Sequence, residues 1–296
     1  MEKIKSGLLK FNSPNENSIL NLKNGVIFCQ HFSKYNDPFE FWNNIYEGIP
    51  DHEKEPERFT AALQAWGMEG CDPNDADLIA YFDECKAYQP PFKEMRDSIR
   101  IACFASQKDN MLMWSHYADG LRGFCIAFDE QAILTKEPDS YIVDVEYLTI
   151  PPVVDSFVYG ISYDQDWYNQ VAIGEVQARL KHSKNTDTDD GWLPIYEKHG
   201  EIAVTKMREI WNKAFAVKPL EWKYENERRL LTHTTLCNDE PISIPYSQNA
   251  IKEIILGELM EPDFRKEISS VLKEKYPDVM VKTARRARGQ YSIIIS

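Results

Sequence analysis

Ser98–Phe128 reads SIRIACFASQKDNMLMWSHYADGLRGFCIAF, and the change of period inside it decides the fold class. Ser98–Ala105 alternates as a strand does. Met111–Ala118 fits two helical turns, and Gly123–Phe128 is a continuous apolar run of strand length. Strand, short helix and strand in close succession describe a sheet with helices laid on it. On this helix Met111, Trp114, Ser115 and Ala118 are spaced to face a core, which leaves His116 on the opposite side and Tyr117 between the two.

Outward towards the N-terminus, Asn15–Leu22 has helical spacing and Gly25 stands where a C-terminal cap would, followed by the short strand Val26–Cys29. Asn36-Asp37-Pro38 is a strong turn signal. From Trp42 to about Asp97 the chain is acidic and helical in pattern. Outward towards the C-terminus, Tyr141–Leu148 alternates until Pro151-Pro152 removes the backbone donors. A second helical stretch runs from Asp166 to about Phe215, broken by the polar run 183–191. Strands are expected at Arg228–His233, Ile251–Leu256, Val279–Lys282 and Tyr291–Ile295, with a helix at about Asp263–Lys275. The order predicts one α+β domain over residues 1–296. Its sheet is interrupted and mainly antiparallel, with helical insertions at approximately 42–97 and 160–215.

Composition narrows the function. The 296 residues carry a formal charge of −13, which repels nucleic acid and anionic membranes at long range. A nucleic-acid contact would have to be local, and Lys282, Arg285, Arg286 and Arg288 are the candidate segment. No apolar run has the length of a membrane span, and the first residues lack a signal-peptide core, so a cytoplasmic protein is expected. Six cysteines contain no C-x-x-C pair and read as reduced thiols. The six histidines do not pair at metal spacing, and no metal site is expected. Phosphate-loop, serine-elbow and H-E-x-x-H signatures are absent.

Three stretches carry chemistry. In Glu221-Trp-Lys-Tyr-Glu225-Asn-Glu227-Arg-Arg229, strand period puts Glu225, Glu227 and Arg229 on one face. Paired carboxylates suit a proton acceptor or a clamp on a ribose hydroxyl. The bland alternative is an ion-paired strand entrance neutralised by Lys218, Lys223, Arg228 or Arg229. Asn36-Asp-Pro-Phe-Glu40 follows a strand, where ligand loops are common. An Asx turn from Asn36 explains it up to Glu40, which turn chemistry leaves unexplained. In the third stretch, His116 and Tyr117 either line a cleft or serve the core. The glycines of Gly120-Leu-Arg122-Gly123 would let backbone approach a ligand, with Arg122 as a donor fork for phosphate.

FSKYNDPFE (Phe32–Glu40), CFASQKDNMLMWSHYADGLRGFCIAFD (Cys103–Asp129), EWKYENERRL (Glu221–Leu230) and IKEIILG (Ile251–Gly257), in this order, resemble a bacterial family catalogued as a domain of unknown function. That family opens with a Tyr-Lys-Tyr-Arg-like word, where this chain has Leu9-Lys-Phe-Asn12. The layout is also similar, at greater distance, to ADP-ribosyltransferase-like enzymes, which hold NAD in a split-sheet cleft with a Glu near the nicotinamide ribose. That likeness implies NAD as substrate, Glu227 as the catalytic carboxylate and Glu225 as its support. Asn36, Asp37, Glu40, His116, Tyr117 and Arg122 would then be the binding residues, with an acceptor macromolecule left open. It points to a toxin or an antiviral-defence effector. Two alternatives stand beside it. One is a non-catalytic nucleotide- or protein-binding sensor of a defence or stress system, and the other is a metal-dependent nuclease-like hydrolase using Asp37, Glu40 and Glu227.

Overall fold

The computed structural model describes all residues except 1–6, 36, 88–91, 137–139, 183–190 and 236–237. In chain order the elements begin with β1 (Leu8–Asn12), α1 (Glu16–Asn24) and β2 (Val26–His31), then β3 (Asn44–Tyr46), α2 (Pro56–Trp66), α3 (Ala76–Ala87) and α4 (Phe92–Asp97). There follow β4 (Ile99–Ala105), α5 (Met111–Tyr117), β5 (Phe124–Phe128), α6 (Glu130–Leu134), β6 (Ser140–Asp144), β7 (Glu146–Leu148), β8 (Val153–Asp155), α7 (Ser156–His182) and α8 (Leu193–Phe215). The chain closes with β9 (Val217–Pro219), β10 (Glu227–His233), β11 (Ile242–Pro245), β12 (Ile251–Gly257), α9 (Pro262–Lys275), β13 (Met280–Arg286) and β14 (Ile293–Ile295).

The chain forms two compact units. The first comprises Met1–Phe41, Asp97–Ile150 and Ala216–Ser296, the second Trp42–Arg96 and Pro151–Phe215. The sequence expectation is one domain with helical insertions at approximately 42–97 and 160–215. Within the second unit Val153–Asp155 pairs in parallel with Asn44–Tyr46. Strands of three residues are too short to show a period.

The first unit holds a ten-stranded sheet in the order β11-β2-β4-β1-β5-β12-β13-β14, with β10 set between β4 and β6. Every pairing in it is antiparallel except β12 with β13, which α9 connects. The fold is therefore α+β with a mainly antiparallel sheet, as expected. Two strands of this sheet escaped the sequence reading, β1 and β11. The single strand expected over Tyr141–Leu148 is two, because the chain leaves β10 after Asp144 and pairs Glu146–Leu148 with β9.

Alternation divides the core between the two sheet faces. Leu8, Ala102, Phe104, Phe124, Ile126 and Leu230 pack with Ile19 and Leu22 of α1 and Ile268 and Leu272 of α9. Leu9, Ala105, Cys125, Ala127 and Ile255 point the other way, against Met113 and Trp114 of α5. Helix α1 is closed at both ends, the C-terminal one as its sequence foretells. Asn15 and Ser18 form a capping box, and Gly25 takes the left-handed conformation at φ 66°.

The glycine at 123 serves the sheet. A Cβ there would stand 2.0 Å from the carbonyl oxygen of Asn12 in β1, and one at Gly257 would stand 2.0 Å from that of Leu121. Backbone meets backbone at both points, so any side chain would push β1 away at Gly123 and the turn before β5 away at Gly257.

Candidate functional site

The site grows from an unequal pairing of β4. On one edge β4 pairs with β10 throughout, from Ile99↔His233 to Ala105↔Glu227. On the other it meets β2 at Arg100 and Ile101 and β1 at Ala105. Among the described residues Ala102–Phe104 have no strand partner on that edge. Side chains take the place of a strand. Lys10 Nζ donates to the Cys103 carbonyl at 3.1 Å, and the Tyr35 hydroxyl donates to the Ile101 carbonyl at 3.2 Å. Where β1 and β2 splay, a cavity of about 470 Å³ opens, lined by both strands, by the β4 edge and by Tyr117, Trp222, Glu225 and Glu227.

Beside this cavity, five charged side chains converge. Lys218 Nζ lies 2.7 Å from Glu225, 2.9 Å from Glu227 and 3.3 Å from Glu40. Arg229 grips Glu227 through Nε at 2.8 Å and Glu40 through Nη2 at 2.5 Å, and its guanidinium lies over the Phe41 ring at 4.9 Å. Their side chains are at most 8% exposed. Three carboxylates against two cations give the cluster a formal charge of −1. Tyr117 adds a donor, its hydroxyl standing 2.5 Å from Glu225 Oε1.

Burial alone would push the Glu227 carboxyl up, but Arg229 and Lys218 outweigh it and hold it at about 2. Burial likewise pulls Lys218 down, and Glu227, Glu40 and Glu225 overcome that and raise it. The Cys103 thiol is driven up to about 12 by burial, reinforced by Glu227. The Tyr117 hydroxyl is raised by burial and then by Glu225. Glu227 and Lys218 therefore stay charged, and Cys103 and Tyr117 neutral, across the physiological range.

Local structure delivers these groups by a route that period alone does not reveal. The strand expected to carry both Glu225 and Glu227 begins only at Glu227, and Leu220–Glu225 is a 3-10 turn. Asn226, left-handed at φ 43°, reverses the chain so that both carboxylates still reach Lys218. Ser106 Oγ and the Ser106 amide donate to the Asn226 carbonyl, and Asn110 Nδ2 donates to that of Tyr224, which pins the turn. Glu40 arrives through a turn headed by Asp37, whose Oδ1 accepts from the Phe39 amide at 2.9 Å. The expected Asx residue, Asn36, lies outside the described residues.

Of the residues the sequence singles out, Asp37, Glu40, Tyr117, Glu225 and Glu227 line one cavity. His116 and Arg122 are absent from its lining. His116 is exposed, its ring 6.4 Å from that of Tyr224, and Arg122 bonds the Asp119 carbonyl in solvent. The core face of α5 also differs from expectation, with Met113 buried and Met111 43% exposed. Asn110 caps this seven-residue helix through the amides of Leu112 and Met113, and Trp114 packs edge-on to Phe11 of β1, which sets the helix's rotation.

Of the cations weighed for ion pairing, Lys218 and Arg229 join the cluster, whereas Arg228 turns to Asp144 and Glu130. Lys10, Tyr35, Cys103 and Trp222 escaped the sequence reading, since only the splayed strands and the 3-10 turn bring them to the cavity. Among the described residues no group of three His, Cys, Asp or Glu side chains could hold a metal ion. Nor is any helix there long and apolar enough to cross a membrane. In the basic C-terminal segment Lys282 pairs with Glu253 at 2.6 Å and Arg286 with Glu258.

Fold and site together define an α+β protein with a buried, ion-paired carboxylate cluster beside a sheet cavity. Residues 113–230 match the family model described as a protein of unknown function (DUF2971). The match covers less than half of the chain. It includes Tyr117, Lys218, Glu225, Glu227 and Arg229 and stops short of Glu40, and it supports the resemblance to a family of unknown function. No curated protein and no solved structure matches the chain.

Proposed function

We propose that the cavity binds NAD and that the chain is an ADP-ribosyltransferase-like enzyme acting at the nicotinamide ribose. The observation that carries this reading is the excess of carboxylate over cation in one buried cluster beside a ligand-sized cavity. A fixed negative field of this kind favours a ligand that becomes cationic at a sugar carbon. In the proposed step the bond from the ribose carbon to nicotinamide breaks and both electrons leave with the ring nitrogen. The pyridinium thereby departs as neutral nicotinamide without needing a proton. Positive charge passes to the ribose as an oxocarbenium ion, which the Glu227 carboxylate stabilises. An acceptor nucleophile then forms the new bond and releases its proton to water. Tyr117 and Trp222 offer aromatic surface to the nicotinamide ring, and Lys10 and Lys34 in the lining offer charge to phosphate.

One observation favours a second reading, a nucleotide sensor without turnover. Both oxygens of Glu227 already accept from Arg229 and Lys218. Incubation of the purified protein with adenylate-labelled NAD, alone and with cell extract, separates the two. Transfer of label or release of nicotinamide, reduced about a hundredfold by Glu227→Gln with NAD binding retained, is the expected result. NAD that binds and stays intact assigns the sensor role, and NAD that neither binds nor reacts overturns both readings.

A further inference from the structure

The second unit holds a cavity of its own, also about 470 Å³, which has no part in the reading above. Two helices build it. From α3 come Tyr81, Glu84 and Cys85, spaced one turn apart on one face, and from α7 come Tyr163, Asp164 and Trp167. The Tyr81 ring is fixed, stacked on Trp66 at 4.4 Å with its hydroxyl donating to Asp164 Oδ2 at 2.9 Å and accepting from Gln165 at 3.0 Å. Trp167, by contrast, is 62% exposed, an indole left standing at the rim.

The charge here is one-sided. Among the described residues neither Glu84 nor Asp164 has an ion-pair partner. Burial pushes the Cys85 thiol up to about 11, with the field of Asp164 and Glu84 adding to it, so the thiol contributes no charge of its own. Three aromatic side chains line the cavity beside two carboxylates, with no cation among the lining residues. A hard metal ion demands several oxygen ligands in close order, and no such group of side chains exists among the described residues. A weakly hydrated cation with an apolar surface meets both the rings and the carboxylates.

We propose that this cavity binds a small organic ammonium ion of the quaternary or alkylammonium class, held by Tyr81, Tyr163 and Trp167 and neutralised by Glu84 and Asp164. The test is calorimetric titration of the full chain with choline and with its uncharged carbon isostere, at constant ionic strength set with sodium chloride. Choline is expected to saturate in the millimolar range, with the isostere at least about tenfold weaker. Trp167→Ala and Glu84→Gln should each weaken choline about fivefold or more. Both side chains are exposed, so circular dichroism should show the fold intact in each variant. Absence of saturation by choline, equal binding of the isostere, or unchanged affinity in Trp167→Ala overturns the proposal.

Discussion

Replacing Lys218 by methionine keeps the length of the side chain and removes its charge, which takes the buried cluster from a formal −1 to −2. Three carboxylates then share Arg229 as their cation, after losing contacts of 2.7, 2.9 and 3.3 Å. Removing one partner of a buried pair usually costs about 3–5 kcal/mol. Proton uptake sets a ceiling on the electrostatic part of that cost, because the cluster can shed its added charge by protonating one carboxyl. For a carboxyl of ordinary pKa that takes about 4 kcal/mol at pH 7, falling by about 1.4 kcal/mol per pH unit to about 1 kcal/mol at pH 5.

The sign follows. In the variant the folded state holds the extra proton more tightly than the unfolded state, so its stability rises as pH falls. In the wild type Glu227 is held low, and stability falls as pH falls. Urea unfolding at pH 7 and pH 5 should therefore show a gap of about 4 kcal/mol that closes to about 1. The double variant Lys218→Met/Glu225→Gln removes one carboxylate with the cation and should recover most of the loss at pH 7. An equal gap at both pH values, or a double variant no better than the single, would refute the coupling of these charges through Lys218.

Four further outcomes can be measured. In the wild type the Glu227 carboxyl drops from an ordinary 4.5 to about 2, so about 3 kcal/mol of stability should disappear as pH falls from about 5 to about 2, visible as a falling urea midpoint. Gly123→Ala, whose new methyl would meet the Asn12 carbonyl at 2.0 Å, should cost about 3 kcal/mol or more in thermal unfolding. Gly174→Ala in α7, with nothing within 4 Å, should instead stabilise by about 0.5–1 kcal/mol. At Asn226, left-handed at φ 43°, glycine should be tolerated, while alanine should cost about 1–2 kcal/mol in thermal unfolding.

Local signals were strong enough to place most of the fold. Gly25 ending α1, the alternation of Ile99–Ala105 and the apolar run Phe124–Phe128 each express a preference that neighbouring residues satisfy among themselves. The short strands β3, β8 and β9 were not legible, because three residues cannot show a period and each is a strand only by virtue of its partner. Gly123 looked like room for a ligand and proves to be room for β1, a distinction that rests on a backbone distant in sequence.

The sequence by itself determined which charged and hydroxyl-bearing side chains were candidates for a site: the dense Glu225–Arg229 word, the unexplained Glu40 and the amphipathic Tyr117. Their charges and hydroxyls are properties of the side chains wherever the chain runs. Tertiary structure alone decided that they meet. Glu40 and Arg229 are far apart in the chain and touch at 2.5 Å, Lys218 enters from a strand too short to foresee, and His116 and Arg122 remain outside. The physical reason is that β4 pairs with β2 and β1 at its two ends and with neither in between. A cavity that arises from a missing strand contact has no local signature in the residues that line it.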